Sequence, residues 1–161
     1  MIRGNYDHEL ILPKSLVNLQ IEGKYNGPLN IPETLEVLYI GSHNDHELIL
    51  PGSLCLLSIG PNYNKPLTLP ESLESFDISG TYTHDLVLPT RLKNLSIGGG
   101  YTGDGYTGEL NLPESLYTLS LFSPVQPTNW PKSLKSVFVY KQYPFELPES
   151  TSATRVIRAR R

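Results

Sequence analysis

The chain alternates short apolar runs with polar corners, and the runs return in a fixed order after each of seven prolines. Leu16, Leu19 and Ile21 follow Pro13, and Leu35, Leu38 and Ile40 follow Pro32. The same triplet recurs as Leu54, Leu57, Ile59; Leu73, Phe76, Ile78; Leu92, Leu95, Ile97; Leu116, Leu119, Leu121; and Leu134, Val137, Val139. The last two members of each triplet stand two apart, the spacing of one face of a β-strand. A second apolar pair, such as Leu29 with Ile31 or Leu48 with Leu50, precedes the next proline. Each unit therefore predicts a strand, a turn and a second inward-facing stretch.

The prolines set the period. Eight of the 14 follow a large apolar residue, at positions 13, 32, 51, 70, 89, 113, 131 and 148, with intervals of 19, 19, 19, 19, 24, 18 and 17 residues. A lone coil of this length cannot bury its leucines, whereas stacked coils merge them into continuous ladders. No interval has room for a three-turn helix between its turn signals, so the side opposite the strands is predicted to be extended. Proline suits that side because it fixes φ and gives up an N–H where no ladder needs it. The expected fold is all-β and nearly helix-free: a leucine-rich-repeat-like solenoid of about eight coils with a parallel sheet. It spans residues 1–149, with 150–161 as a C-terminal cap or basic tail.

The units resemble the FNIP repeat, a leucine-rich-repeat relative of social amoebae and giant viruses of amoebae, which reads approximately LP-x-S-L-x-x-L-x-F-G-x-x-F-N-x-P-L. The nearest units here are LPGSLCLLSIGPNYNKPLT from Leu50 to Thr68 and LPKSLVNLQIEGKYNGPLN from Leu12 to Asn30. Two departures stand out. The family unit is longer, and its phenylalanine positions carry Ile21, Ile40 and Ile59 and Tyr25, Tyr63 and Tyr82 in this chain. Family members often begin with an F-box, and the residues before Leu12 are too few for one. The resemblance thus implies a repeat scaffold in the cytoplasm, of the host cell if viral, and not a ubiquitin-ligase adaptor. NYDHELILP at Asn5 and HNDHELILP at His43 add a 38-residue period, which points to duplication of a two-coil unit.

Charge and candidate chemistry add little to this picture. Charged residues are 18% of the chain and the net charge is −3, so turns rely on Asn, Ser, Thr and Gly. Cys55 is the single cysteine, which excludes an internal disulfide and fits a reducing compartment. No apolar run approaches a membrane span, and the first residues lack a signal core. His8, His46 and His84 fall on alternate coils about 10 Å apart, too far to share a metal. Gly103, Gly105 and Gly108 match G-x-G-x-x-G, but a proline-bounded coil follows where a dinucleotide site needs a helix. The repeated Tyr-Thr-Gly at Tyr101 and Tyr106 explains that insert as a slip duplication forming a protruding loop. The Cys55 repeat position carries Val17, Glu36, Glu74 and Lys93 in other units and no His falls near it, so the thiol is read as inert, and no catalytic site, metal or cofactor is expected. Asp7, Asn26, Asp45, Asn64, Thr83 and Thr107 are read as a polar turn ladder. The tyrosines before it (Tyr6, Tyr25, Tyr63, Tyr82 and Tyr106, interrupted by Asn44) should stack with their hydroxyls near solvent.

Residues between the ladder leucines face outward, the usual contact surface of such a solenoid. In the first coils they are small and polar; in the last two they include Phe122, Phe138 and Tyr140, which should lie on adjacent strands. Tyr39 and Leu56 make a smaller apolar spot. These five residues are the candidate contacts of a non-catalytic protein-interaction scaffold whose partner is another protein. Arg155, Arg158, Arg160 and Arg161 form a basic tail read as solvated, and nucleic-acid binding is not expected. That tail puts Thr151, Thr154 and Val156 where earlier units have Leu, Leu and Ile. The repeat starts within a few residues of Met1 with no cap, which motivates an alternative: a structural component, for example of a viral particle, that associates with itself through its N-terminal end.

Overall fold

Each Leu-Pro corner opens a tight turn. The carbonyl of Pro13, Pro32, Pro51, Pro70, Pro89, Pro113 or Pro131 accepts the N–H of the leucine three residues on, at 3.0–3.2 Å. The chain leaves this turn as a strand. The computed structural model describes residues 2–3, 8–25, 27–41, 46–98, 105–147 and 155–159, with the side chains of 2–3 and 155–159 left aside. The strands are β1 (Ile2–Arg3), β2 (Asn18–Glu22), β3 (Val37–Ile40), β4 (Leu56–Ile59), β5 (Ser75–Ile78), β6 (Asn94–Gly98), β7 (Thr118–Phe122), β8 (Ser136–Tyr140) and β9 (Arg155–Ala159). They form one sheet in chain order, with every neighbouring pair parallel. No helix occurs among the described residues. The leucine-rich-repeat-like solenoid expected from the periodicity is the observed fold.

Register follows the repeat residue for residue. Leu19, Leu38, Leu57, Phe76, Leu95, Leu119 and Val137 pair in sequence across β2 to β8, as do Ile21, Ile40, Ile59, Ile78, Ile97, Leu121 and Val139. Both columns are buried, and the strand residues between them are not. Leu35, Leu54, Leu73, Leu92, Leu116 and Leu134 make a third buried column at the corner, while Leu16 at its end is half-buried. Opposite the sheet, Leu29, Leu48, Leu67, Leu86 and Leu110 close the core from the extended side. Removing a Leu side chain from water stabilises the fold by about 1.5–3 kcal/mol, so the columns together dominate its stability.

The serine of LP-x-S-L has a structural task. Its hydroxyl donates to the corner-leucine carbonyl of the preceding coil: Ser53 to Leu35, Ser72 to Leu54, Ser115 to Leu92 and Ser133 to Leu116, each at 2.7 Å. Thr34 makes the same bond to Leu16 at 2.9 Å. Where the strand has not yet begun, this side-chain ladder satisfies carbonyls that the turn leaves over.

Three expectations change. First, the tyrosines do not hold their hydroxyls near solvent: Tyr25, Tyr63, Tyr82 and Tyr106 are buried, and Tyr143 extends the column. Tyr82 and Tyr106 stack with ring centroids 6.3 Å apart. The rings fill the core on the side that has no sheet, and burying them removes more apolar area than an exposed hydroxyl could offset. Second, the tail is shifted by two residues. Val156 pairs with Val137 and Arg158 with Val139, so Val156 takes the place of the second ladder leucine, not of the isoleucine. A two-residue slip preserves the alternation of the strand relative to its neighbour, so it changes the register without inverting the faces. Third, β1 lies against β2, pairing Ile2 with Ile21 and Arg3 with Glu22, so the outer edge of the first full strand is not bare. Thr151 and Thr154, with Arg160 and Arg161, fall outside the described residues.

The insert of the fifth unit is pinned at both ends. Gly98 has φ of 82°, and a Cβ there would collide with Ser123 Oγ, as would one on Gly105. Ser123 is fully buried, and its hydroxyl accepts the Tyr106 N–H at 3.1 Å. Two glycines thus admit one serine, which sets the chain back into register after the extra residues. Of the segment from Gly98 to Leu110 expected as a protruding loop, residues 99–104, Tyr101 and Gly103 among them, lie outside the described residues, while Gly105, Tyr106 and Leu110 are buried and do not protrude.

Candidate interaction surface

The outward side chains of the sheet form columns because every strand is in register with the next. One column runs Gln20, Tyr39, Ser58, Asp77, Ser96, Ser120 and Phe138. Its middle is small and polar, and Ser58 donates to Asp77 Oδ2 at 3.1 Å across two strands. Aromatic rings stand at either side of this polar stretch. Tyr39 and Phe138 are five strand spacings apart, about 24 Å.

The aromatic end is assembled much as the residues suggest. Leu121 pairs with Val139, so Phe122 and Tyr140 come next to one another at the ends of β7 and β8. Phe122 is 38% exposed, while Phe138 and Tyr140 are half-buried. Tyr140 is held from behind: its ring meets Tyr143 edge-on at 5.9 Å, and Tyr143 meets Phe145 at 5.6 Å. In the described part of the tail, β9 continues the sheet beside β8, with Ile157 paired to Phe138 and Ala159 to Tyr140. At the other spot Tyr39 is 40% exposed, and half-buried Leu56 pairs with Val37 on the adjacent strand. The five candidate contacts thus share one face but divide into two groups.

The remaining candidates settle as turn chemistry. Thr83 donates its N–H to Asn64 Oδ1 at 3.0 Å, and Asn64 returns its amide to Thr83 Oγ1 at 3.1 Å. His84 Nε2 lies 3.1 Å from the Asn64 carbonyl. Asp7, Asn26 and Asp45 of that column, with Tyr6 and Asn44 beside it, lie outside the described residues. Among the described residues no three His, Cys, Asp or Glu side chains gather into a metal-binding group. Cys55 is exposed, its Sγ 3.4 Å from the Ser53 carbonyl. No helix among the described residues is long and apolar enough to cross a membrane.

The buried tyrosines are the strongly perturbed titrating groups. Burial pushes the Tyr63 and Tyr143 hydroxyls up to about 12, and raises Tyr82 and Tyr106 as well. The unit sequence decides how each is satisfied. In Tyr25-Asn26-Gly27-Pro28 and Tyr106-Thr107-Gly108-Glu109 the hydroxyl donates to the carbonyl three residues on, at 3.0 and 2.8 Å. A Cβ on Gly27 or Gly108 would sit 2.5 or 2.4 Å from that oxygen. Where Lys65 or His84 replaces the glycine, the Tyr63 and Tyr82 hydroxyls have no partner in hydrogen-bond geometry among the described residues. The Leu48 and Leu67 N–H groups still lie close enough to oppose part of the rise in pKa. These hydroxyls are buried on the far side of the core from the outward sheet face, and serve packing.

One exposed set escaped the sequence reading. Ile11, Ile49 and Val87 are 93%, 85% and 84% exposed between the paired leucines of the extended side. The 38-residue period carries them, since Asn30 and Thr68 occupy the same position in the coils between. A leucine pair with a β-branched residue inside it reads as uniformly buried, which hides the outward residue.

No family model matches the chain. No curated protein matches it. Among solved structures it is similar to CroV588, whose crystal structure is described as a novel circular LRR protein structure, at a TM-score of 0.73 and 22% identity. The match covers 91% of this chain and 24% of that one, so the chain spans about a quarter of the length of its structural neighbour. That likeness establishes the leucine-rich-repeat-like fold.

Proposed function

We propose that the chain is a non-catalytic protein-interaction scaffold, built of shortened FNIP-type units, that holds a protein partner on the outward face of its parallel sheet. The observation that carries this reading is the exposed Phe122 beside Phe138 and Tyr140, at one end of a face otherwise lined by small polar side chains. Aromatic anchors with a surrounding polar surface are the arrangement that concentrates binding energy at protein interfaces. Ser58, Asp77 and Ser96 supply hydrogen-bonding groups with little side-chain entropy to lose. Tyr39 and Leu56 give a second anchor.

The test uses Phe122→Ser and Tyr39→Ser, singly and together, because both side chains are well exposed and neither supports the core. A partner recovered by cross-linking to the wild-type chain should lose at least tenfold in affinity for the double variant, with the circular dichroism spectrum unchanged. Undiminished binding by the double variant would move the contact surface off this face.

A further inference from the structure

One outward column of the sheet sets three different environments at equal steps. Tyr39 on β3, Asp77 on β5 and Ser120 on β7 hold the same position in their strands, each two strands from the next. At the spacing of parallel strands that step is about 9.6 Å. Tyr39 offers an exposed ring. Asp77 is the one charged side chain that β3 to β8 turn outward. Ser58 donates to its Oδ2 at 3.1 Å, and no lysine or arginine among the described residues forms an ion pair with it. Ser120 is a low point between two rings, with Phe138 beside it on β8 and Phe122 two residues further along β7. Ser58 and Ser96, which fill the steps between, are short, so no tall side chain divides the column.

We infer that this column binds a segment of a partner protein in polyproline II conformation, with a lysine or arginine on Asp77 and a proline or other apolar residue on Tyr39 and at Ser120. The inference rests on the reading of the outward face as a protein-binding surface, and adds the conformation and charge of what is bound. A polyproline II helix has three residues per turn and advances about 9.3 Å in that turn. Residues i, i+3 and i+6 therefore point the same way and meet Tyr39, Asp77 and Ser120 with a mismatch of about 0.6 Å over both steps. An extended strand repeats on one face every 6.7 Å or so, and two turns of α-helix take about 10.8 Å, which leaves either out of step with the column. A polyproline II backbone has no internal hydrogen bonds, so its carbonyls are open to the hydroxyls of Ser96 and Ser120. Aromatic surfaces suit this conformation because the free segment already populates it, which lowers the entropy lost on binding.

Fluorescence anisotropy of the full chain with a labelled, end-blocked peptide, Leu-Pro-Pro-Lys-Pro-Pro-Leu, tests the inference. Saturable binding is expected, weakened about tenfold or more when the lysine becomes glutamate, since a charge-assisted contact is lost. A similar loss is expected for Leu-Pro-Pro-Pro-Lys-Pro-Leu, in which the charge falls off the register. Asp77→Asn keeps an oxygen for the Ser58 hydroxyl, and should abolish the preference for lysine over glutamate with the circular dichroism spectrum unchanged. Asp77→Lys should reverse that preference. No saturable binding at about 1 mM peptide, equal affinity for the lysine and glutamate peptides, equal affinity for the shifted peptide, or a preference that survives Asp77→Asn would each overturn the inference. If the peptides fail while a cross-linked partner is still lost from the Phe122→Ser, Tyr39→Ser double variant, the inference falls and the scaffold reading stands. A partner indifferent to that double variant removes the scaffold reading itself.

Discussion

The two long sides of the core solve the same problem with different means. On the sheet side, backbone hydrogen bonds between parallel strands fix the spacing of the coils, and side chains need only be apolar inward. Phe76, Val137 and Val139 replace Leu or Ile there without disturbing register. On the tyrosine side no strand ladder runs along the column among the described residues, so side chains must fill the space and also satisfy nearby backbone groups. Tyr106 does both: it stacks on Tyr82, accepts the Leu86 N–H at 3.2 Å and donates to the Glu109 carbonyl at 2.8 Å. Tyr143 donates to the Val125 carbonyl at 2.7 Å, linking two coils where no strand does. The lesson is that a backbone ladder makes side-chain identity permissive, while its absence makes identity matter.

Substitutions on the two sides should separate these roles. The largest effect is expected on the sheet side, where Leu57→Ala removes a fully buried ladder residue between two coils. It should cost about 2–5 kcal/mol in urea unfolding, the usual range for such a cavity. A cost under 1 kcal/mol would mean that the strands can close over the gap and that the columns are not tightly packed.

On the tyrosine side the effect should depend on hydrogen bonding and not on ring packing. Tyr106→Phe keeps the ring but leaves the buried Leu86 N–H without its acceptor, for a loss of about 1–3 kcal/mol. Tyr63→Phe removes a hydroxyl that has no partner in hydrogen-bond geometry, and should change stability by well under 1 kcal/mol. Equal losses in the two variants would break the distinction drawn between units with and without the glycine.

The pH response is the mildest probe, because nothing changes at neutral pH. Burial raises the folded-state pKa of Tyr63 and Tyr143 to about 12, above the ordinary tyrosine value of 10.0. The folded chain then holds these protons more tightly than the unfolded chain. Their contribution is complete below pH 10 and is lost as pH rises through about 12. The thermal midpoint should therefore fall between pH 10 and 12. The fall should be smaller in Tyr63→Phe, and an equal fall would assign the alkaline loss to other groups.

Much of the fold was legible because stacking repeats turn a one-dimensional period into a three-dimensional column. Leu19, Leu38 and Leu57 had to meet once the spacing was seen, whatever the turns between them did. The candidate contacts were legible for the same reason, since Phe138 and Tyr140 alternate with buried Val137 and Val139. The solvent position of the tyrosines was not, because Tyr in a turn-rich segment reads equally as surface or core. The tail register was not either: the tail lacks the Leu, Leu, Ile triplet that marks the register elsewhere, and β9 takes the one that pairs Val156 with Val137.

The sequence by itself determined the coil, its period, the parallel sheet and the face that each strand residue occupies, because periods of two and of about 19 leave no other way to bury the leucines. Only the tertiary structure decided which tyrosine hydroxyls are satisfied and how two glycines and Ser123 bring the long unit back into step. Those outcomes depend on distances between coils, and a linear pattern specifies neighbours along the chain more tightly than contacts across it.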